Sequence, residues 1–297
     1  MPDTNPSTMN AWLTDNALEV LHHRPYLQPD ESPFQLFYRV ALAISLAEKP
    51  EDRPLYHGKF RDLMTSLRFL PNTPTLVHAG TPNQHLHCLS ACFVLPIDDS
   101  LDSIMTTLHD AALIEKSGGG IGFGLSRLRP KGSLIHSTGK NQAVGPVEVL
   151  RVYARALAPL TQGGTRPGAH MAQLAISHPD VLEFIRCKDN GSDITNFNIS
   201  VQVTDAFMEC VELDIEWWLI DPNTKEKVDQ IPARDLWNRI CTSAWYTGDP
   251  GVVFIDRVHE SHPNPHLGPI ESSNPCGEEY LEPYGSCNLG SINLAKH

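Results

Sequence analysis

The sequence predicts an α/β fold with a small helical domain in front of it. Three observations carry that expectation. Apolar residues before position 70 recur at helical spacing. From position 71 onward, short apolar runs alternate with helical ones, the pattern of strands joined by crossover helices. No internal repeat or low-complexity linker interrupts the alternation.

Taken in order, a first helix is expected over Trp12–His23, with Thr14 or Asp15 as its cap. A second runs from Ser32 to Ala47, where Phe34, Phe37, Val40, Ala41 and Ile44 share a face. A third covers Lys59–Leu67 and closes a helical domain at residues 1–70. The prolines of Phe69-Leu70-Pro71-Asn72-Thr73-Pro74-Thr75 favour extended backbone before them. A domain over 71–297 follows. It opens with a strand at Leu89–Leu95, then a helix over Ser103–Ser117 capped by Asp99 or Ser100. Gly118–Gly124 reads as a glycine turn into a strand, Val147–Ala158 as a helix, and Gly163–Gly168 as a loop. His178 starts a helix to Cys187, and Asn196–Val203 is a strand. Thr204 caps a helix through Leu213. Strands at Glu216–Ile220 and Val253–Ile255 enclose a helix over Pro232–Tyr246.

Composition narrows the function. A net charge of -12 argues against broad nucleic-acid binding, while nucleotides need only local donors. Seven unpaired-looking cysteines are too few for a disulfide scaffold, so a reducing cytoplasm is the expected setting. No run approaches the roughly 18 apolar residues of a membrane span, and Met1–Asn10 has no apolar signal core.

The sharpest chemical signal is Asn274-Pro275-Cys276-Gly277-Glu278, followed by Cys287. An extended backbone would put Asn274, Cys276 and Glu278 on one face. Pro275 and Gly277 point instead to a tight, shaped loop. On these residues alone, two buried structural cysteines remain an open reading. The other motifs are weaker. Glycines at 118, 119, 120, 122 and 124 do not give G-x-G-x-x-G, and Gly132 to Asn141 does not make a P-loop. His85, His87, Cys88 and Cys92 resemble one half of a zinc site without the second ligand pair, so no metal is expected. Cys187, Cys210 and Cys241 fall in predicted helices as packing residues. No nucleophile motif of a thiol hydrolase appears.

Seven stretches, in order, resemble the catalytic chain of ribonucleotide reductases. They are Pro71–Leu76, Leu89–Pro96, Lys116–Phe123, Arg127–Gly132, Asp193–Ser200, Asn274–Glu278 and Cys287–Asn293. The Ser90–Phe93 and Gly118–Phe123 wording is most similar to the class II, adenosylcobalamin-dependent enzymes. The resemblance implies a ten-stranded α/β barrel in two five-stranded halves with a central cysteine loop. This chain would hold the helical domain, the first half-barrel and that loop, as a fragment or one part of a split enzyme.

The resemblance also implies roles. Cys276 carries a thiyl radical, Glu278 is the base on the 3′ hydroxyl, and Asn274 positions the sugar. Cys92 protonates the leaving 2′ hydroxyl and then closes a disulfide with Cys287. Thr73, Ser90, Ala91, Gly120 and Asn196 line the ribonucleotide. An allosteric dNTP or ATP effector sits at Asp99, the His136–Val144 loop, and Gln162 and Arg166. The implied partners are the C-terminal half of the enzyme, a second copy in a homodimer, and a thioredoxin- or glutaredoxin-like reductant. The competing readings are an inactive nucleotide-binding module, a class I catalytic-subunit fragment, and a thiol hydrolase or metal protein.

Overall fold

Local hydrogen bonding explains the first helices. The structure, a computed structural model, describes residues 13–135, 142–162 and 166–297. The expected helix start at Trp12, the His136–Asn141 part of the effector loop, and Gly163–Thr165 lie outside the described residues. Helix α1 (Asp15–His23) is capped by the Thr14 hydroxyl, which accepts from the Ala17 amide at 3.2 Å. Helix α2 (Pro33–Ser45) begins with a reciprocal capping box between Ser32 and Gln35. Helix α3 (Arg53–Thr65) starts six residues before the predicted Lys59, because Pro54 fits the first turn. Leu36, Phe37, Val40, Ala41 and Met64 form the core of these helices with Leu76 and Ala79.

Strand β1 (Phe69–Pro71) pairs antiparallel with β14 (Gly290–Ile292). The expectation of extended backbone before each proline holds at Leu70, in β1, and is corrected at Thr73. Helix α4 (Thr73–His78) forms there, with Asn72 as its cap and Pro74 in its first turn. Proline excludes helix only behind itself, and a first-turn proline costs no hydrogen bond.

The chain divides into two compact units. One takes in residues up to Ala91, Ser117–Gly119 and Asn288–His297; the other takes in Cys92–Lys116 and Gly120–Cys287. The second unit is built on a six-stranded sheet in the order β10-β7-β6-β3-β2-β13. Its strands are β2 (Cys92–Pro96), β3 (Gly120–Gly124), β6 (His170–Ala175), β7 (Phe197–Val203), β10 (Gly251–Phe254) and β13 (Ser286–Cys287). The first five run parallel and β13 antiparallel. Between successive parallel strands lie α5 (Leu101–Ser117), α6 (Pro146–Leu157), α7 (Val181–Arg186) and α8 (Asp205–Leu213). An antiparallel hairpin, β8 (Glu216–Ile220) and β9 (Lys227–Pro232), leads to α9 (Ala233–Thr247). This is the half-barrel that the resemblance implies; among the described residues the sheet is open, with β10 and β13 at its edges. No helix among them is long and apolar enough to cross a membrane.

Each strand has two unlike faces. Ile121, Phe123, Leu174, Ile199 and Val201 pack into the core with helical residues such as Leu150 and Phe184. The alternate positions carry Gly120, Gly122 and Gly124 on β3, Met171 and Gln173 on β6, and Asn198, Ser200 and Gln202 on β7. Strand β6, unmarked by any period, is buried almost throughout, so polar and apolar positions do not separate.

Residues 271–273 lie against the glycines. A Cβ on Gly122 would stand 1.7 Å from the Ser273 carbonyl oxygen, and one on Gly124 would stand 2.9 Å from that of Glu271. Gly122→Ala is therefore expected to destabilise the chain by about 3 kcal/mol, the cost of severe overpacking. Gly58→Ala, in open space on α3, should stabilise by about 0.5–1 kcal/mol. Melting curves of the two variants check this contrast.

Candidate active site

The glycine face receives a hairpin. Strand β11 (Ser272–Ser273) pairs antiparallel with β12 (Tyr280–Leu281), leaving 274–279 as the connecting turn. Gly277 has φ +87°, a conformation that a side chain would strain. The Asn274 amide donates to the Glu279 carbonyl at 2.9 Å. The Asn274 Oδ1 accepts from the amides of Gly277 and Glu279, each at 3.0 Å. One side chain thus closes the turn from inside.

This corrects the expectation of a shared face. The backbone is not extended, so period two does not apply. Asn274 is fully buried, whereas Cys276 and Glu278 are exposed on the turn.

The buried amide meets the first thiol: Asn274 Nδ2 donates to Cys92 Sγ at 3.6 Å. The second thiol arrives through β13, where Cys287 stands directly opposite Cys92 in the antiparallel register. Such cross-strand pairs hold their Cβ atoms about 4.5–5.5 Å apart. Burial pushes the Cys287 thiol up to about 12, and the adjacent Cys92 thiol, hydrogen-bonded to it, and the charges of Glu279 and Glu278 act in the same sense. Asn274, Cys92 and Cys287 form one cluster, with Cys276 and Glu278 on the turn that Asn274 closes. Gly120 stands beside Cys92 in the β2–β3 register.

The remaining expected residues are placed as follows. Ser90 and Ala91 precede β2 in the chain and belong, with Thr73, to the helical unit. The Thr73 hydroxyl is 3.3 Å from that of Tyr26. Asn196 turns its amide to the Ala154 carbonyl at 3.0 Å. Asn198, two residues on, is the asparagine that reaches the turn, donating to the Pro275 carbonyl at 2.8 Å. Asp99 accepts from the Arg129 amide at 3.0 Å, from Arg129 Nε at 2.7 Å and from Asn223 Nδ2 at 2.7 Å. It lines a cavity of about 410 Å³ with Leu101, Ile104, Arg129 and Val144. Gln162 and Arg166 are cross-strand partners in a two-residue ladder, β4 (Thr161–Gln162) with β5 (Arg166–Pro167). Cys187 is buried, and desolvation pushes its thiol up to about 12. Cys241, expected to pack, is exposed on α9.

Two residues beneath the turn were not singled out from sequence: Gln173 and Gln202. The signal for Gln202 is the row of polar side chains at period two, Asn198, Ser200 and Gln202, on a strand whose other face is core; β6 carries no such row. Only a second buried face explains such a row.

Two family comparisons fit this arrangement. Residues 11–84 match the family described as ribonucleotide reductase, all-alpha domain, and residues 90–297 match ribonucleotide reductase, barrel domain. A vitamin B12-dependent ribonucleoside-diphosphate reductase of Thermoplasma acidophilum is 49% identical over 82% of the chain and 31% of its own length. One from Mycobacterium tuberculosis is 45% identical over 94% of the chain and 41% of its length. A ribonucleoside-diphosphate reductase subunit alpha of Synechocystis is 30% identical over 96% of the chain and 42% of its length. The chain therefore spans less than half the length of these relatives.

The thiol environments predict an order of reaction. At pH 8, with its titration near 12, Cys287 holds roughly one part in ten thousand as thiolate. Site-resolved alkylation should label Cys276 and Cys241 well before Cys287. The Cys287 rate should climb about tenfold per pH unit through pH 10. A plateau near pH 9 would contradict the assigned environment.

Proposed function

The chain belongs to the ribonucleotide reductase family, and from that premise we propose that it supplies the thiol-bearing part of a catalytic chain reducing ribonucleoside diphosphates to 2′-deoxyribonucleotides. The observation that carries the reading is the pairing of Cys92 with Cys287 across two strands, under an amide from Asn274. A dithiol so placed delivers two electrons by becoming a disulfide. In balance, one ribonucleotide and two thiols give one deoxyribonucleotide, one water and one disulfide.

Each residue then has work suited to its setting. Cys276, exposed at the turn, takes the 3′ hydrogen of the ribose as a thiyl radical and later returns it. Glu278, exposed beside it in sequence, removes the 3′ hydroxyl proton. Asn274 has spent Oδ1 on the turn and one amide hydrogen on Cys92, which leaves the other amide hydrogen for the sugar. Cys92 protonates the departing 2′ hydroxyl. The high titration of Cys287 keeps its thiol protonated until the substrate draws electrons from the pair. A thioredoxin- or glutaredoxin-like thiol resets the disulfide.

The exposed Cys276 thiol, on a turn otherwise braced from inside, fits a bulky group approaching from solvent. Adenosylcobalamin, when bound, supplies the radical chemistry that oxidises such a thiol by one electron. Identities of 49 and 45% to B12-dependent relatives, against 30% to the subunit alpha, favour that source. Thr73, Ser90, Ala91, Gly120 and Asn196 line the nucleotide in this reading. A dNTP or ATP effector occupies the Asp99 cavity with Gln162 and Arg166. A second copy meets the chain along α5, where Leu101, which lines that cavity, Met105 and Leu113 are exposed. The C-terminal half continues the sheet from β10, and a reducing cytoplasm suits the thiols.

The assay joins the chain to, or mixes it with, the remaining barrel sequence of a B12-dependent relative, then adds adenosylcobalamin, CDP and a dithiol. Deoxycytidine diphosphate should form. Cys276→Ser should abolish it, and Cys92→Ser or Cys287→Ser should cut turnover by about 100-fold or more. Undiminished turnover in Cys276→Ser would refute the assignment.

A further inference from the structure

Beneath the turn lies a buried chain of amides that the proposed chemistry does not use. Gln173 is fully buried and Gln202 nearly so. Gln202 Nε2 donates to Gln173 Oε1 at 2.9 Å and to the Glu271 carbonyl at 2.8 Å. Gln173 Nε2 donates to Ser273 Oγ at 2.8 Å. The Ser273 hydroxyl donates onward to the Asn274 carbonyl at 3.1 Å.

The direction of this relay is forced. Both hydrogens of Gln202 Nε2 are spent on oxygens, so Gln173 must present its oxygen to Gln202 and its nitrogen to Ser273. Flipping Gln202 would set its oxygen against the Glu271 carbonyl, and flipping Gln173 would set its nitrogen against that of Gln202. Ser273, accepting from Gln173, has only its own hydrogen left for Asn274. The relay thus runs one way, from β7 through β6 into β11, and grips the backbone at Glu271 and Asn274. Those two points flank the segment pressed on Gly122. Hydrophobic side chains could fill the same space only by leaving the Glu271 carbonyl without this donor. A buried amide pair instead fixes one arrangement, because every alternative leaves a polar group unpaired.

We infer that Gln173 and Gln202 are positioning residues: with Ser273 they set the height and register of the 274–279 turn, and so the aim of Asn274 at Cys92 and of Cys276 at the substrate. The inference rests on the proposed reductase reading for its consequence in catalysis, and on the hydrogen bonds alone for its consequence in the turn. Neither glutamine touches the thiols, so their loss should lower kcat and leave KM nearly unchanged.

The test compares Gln173→Leu with the double variant Gln173→Leu/Gln202→Leu. The single change strands the Gln202 amide and the Ser273 hydroxyl; the double change removes both amides and relieves most of that stranding. Two readouts are taken. The first is hydrogen exchange in the chain itself, at the Gly277 and Glu279 amides held by Asn274 and at Ala172 and Val201 within the strands. The second is kcat and KM in the complemented enzyme. The single variant should speed exchange at Gly277 and Glu279 at least tenfold with the strands unchanged, and lower kcat by about 100-fold. The double variant should recover thermal stability and not kcat or turn protection.

Recovery of kcat together with stability in the double variant would overturn the inference, making the relay a matter of stability alone. Unchanged exchange at Gly277 and Glu279 in the single variant would overturn it as well. If the unsubstituted enzyme makes no deoxynucleotide, the reductase reading fails, and the exchange contrast alone decides whether the relay positions the turn.

Discussion

Everything at the site depends on one steric allowance, the bare face of β3. With no side chains at Gly120, Gly122 and Gly124, the segment 271–273 sits so close that a methyl group at Gly122 would fall 1.7 Å from a carbonyl oxygen. That approach carries Asn274 far enough in to reach Cys92, 182 positions away in sequence. A Cβ on Gly122 or Gly124 would lift the hairpin and with it the Asn274 amide that donates to the first thiol.

The second requirement follows from the first. A hairpin laid on a sheet with its backbone buried must satisfy its carbonyls there, or pay the desolvation of each. Strands β6 and β7 answer with Gln173, Gln202 and Asn198, whose amides reach Ser273, Glu271 and Pro275. What emerges is a division of labour along six residues of turn. Asn274 is buried and closes the turn, Gly277 supplies the left-handed backbone, and Cys276 and Glu278 are left exposed. Cys92 sits behind, buried, with the half-buried Cys287 opposite it in the β2–β13 register, and Cys276 sits in front.

Much of the scaffold was legible because its signals are local. Thr14, Ser32, Ser100 and Thr204 each cap the helix they precede, through hydrogen bonds three residues long. The apolar periods of α2 and α6 report a single buried face each. Strand β6 was illegible for the opposite reason: buried on both faces, His170–Ala175 has no contrast to read. Helix α4 was hidden by prolines that start helices as readily as they end them. At the site, Asn274-x-Cys276-x-Glu278 looked like a strand face, while Pro275 and Gly277 signalled the turn that forms. The juxtaposition of Cys92 and Cys287 came from resemblance, since no spacing in one sequence encodes which strands become neighbours. The glycines at 120, 122 and 124 lack the spacing of a cofactor loop, and at Gly122 and Gly124 they admit the close approach of 271–273.

The central claim is that this turn presents Cys276 to a ribose while Cys92 and Cys287 wait beneath it. The most direct measurement is an experimental structure of the complemented enzyme with a ribonucleoside diphosphate bound. The account predicts the ribose 3′ carbon about 3–3.5 Å from Cys276 Sγ, with the 2′ hydroxyl turned toward Cys92. A nucleotide bound only in the Asp99 cavity, with no ribose over the turn, would contradict it.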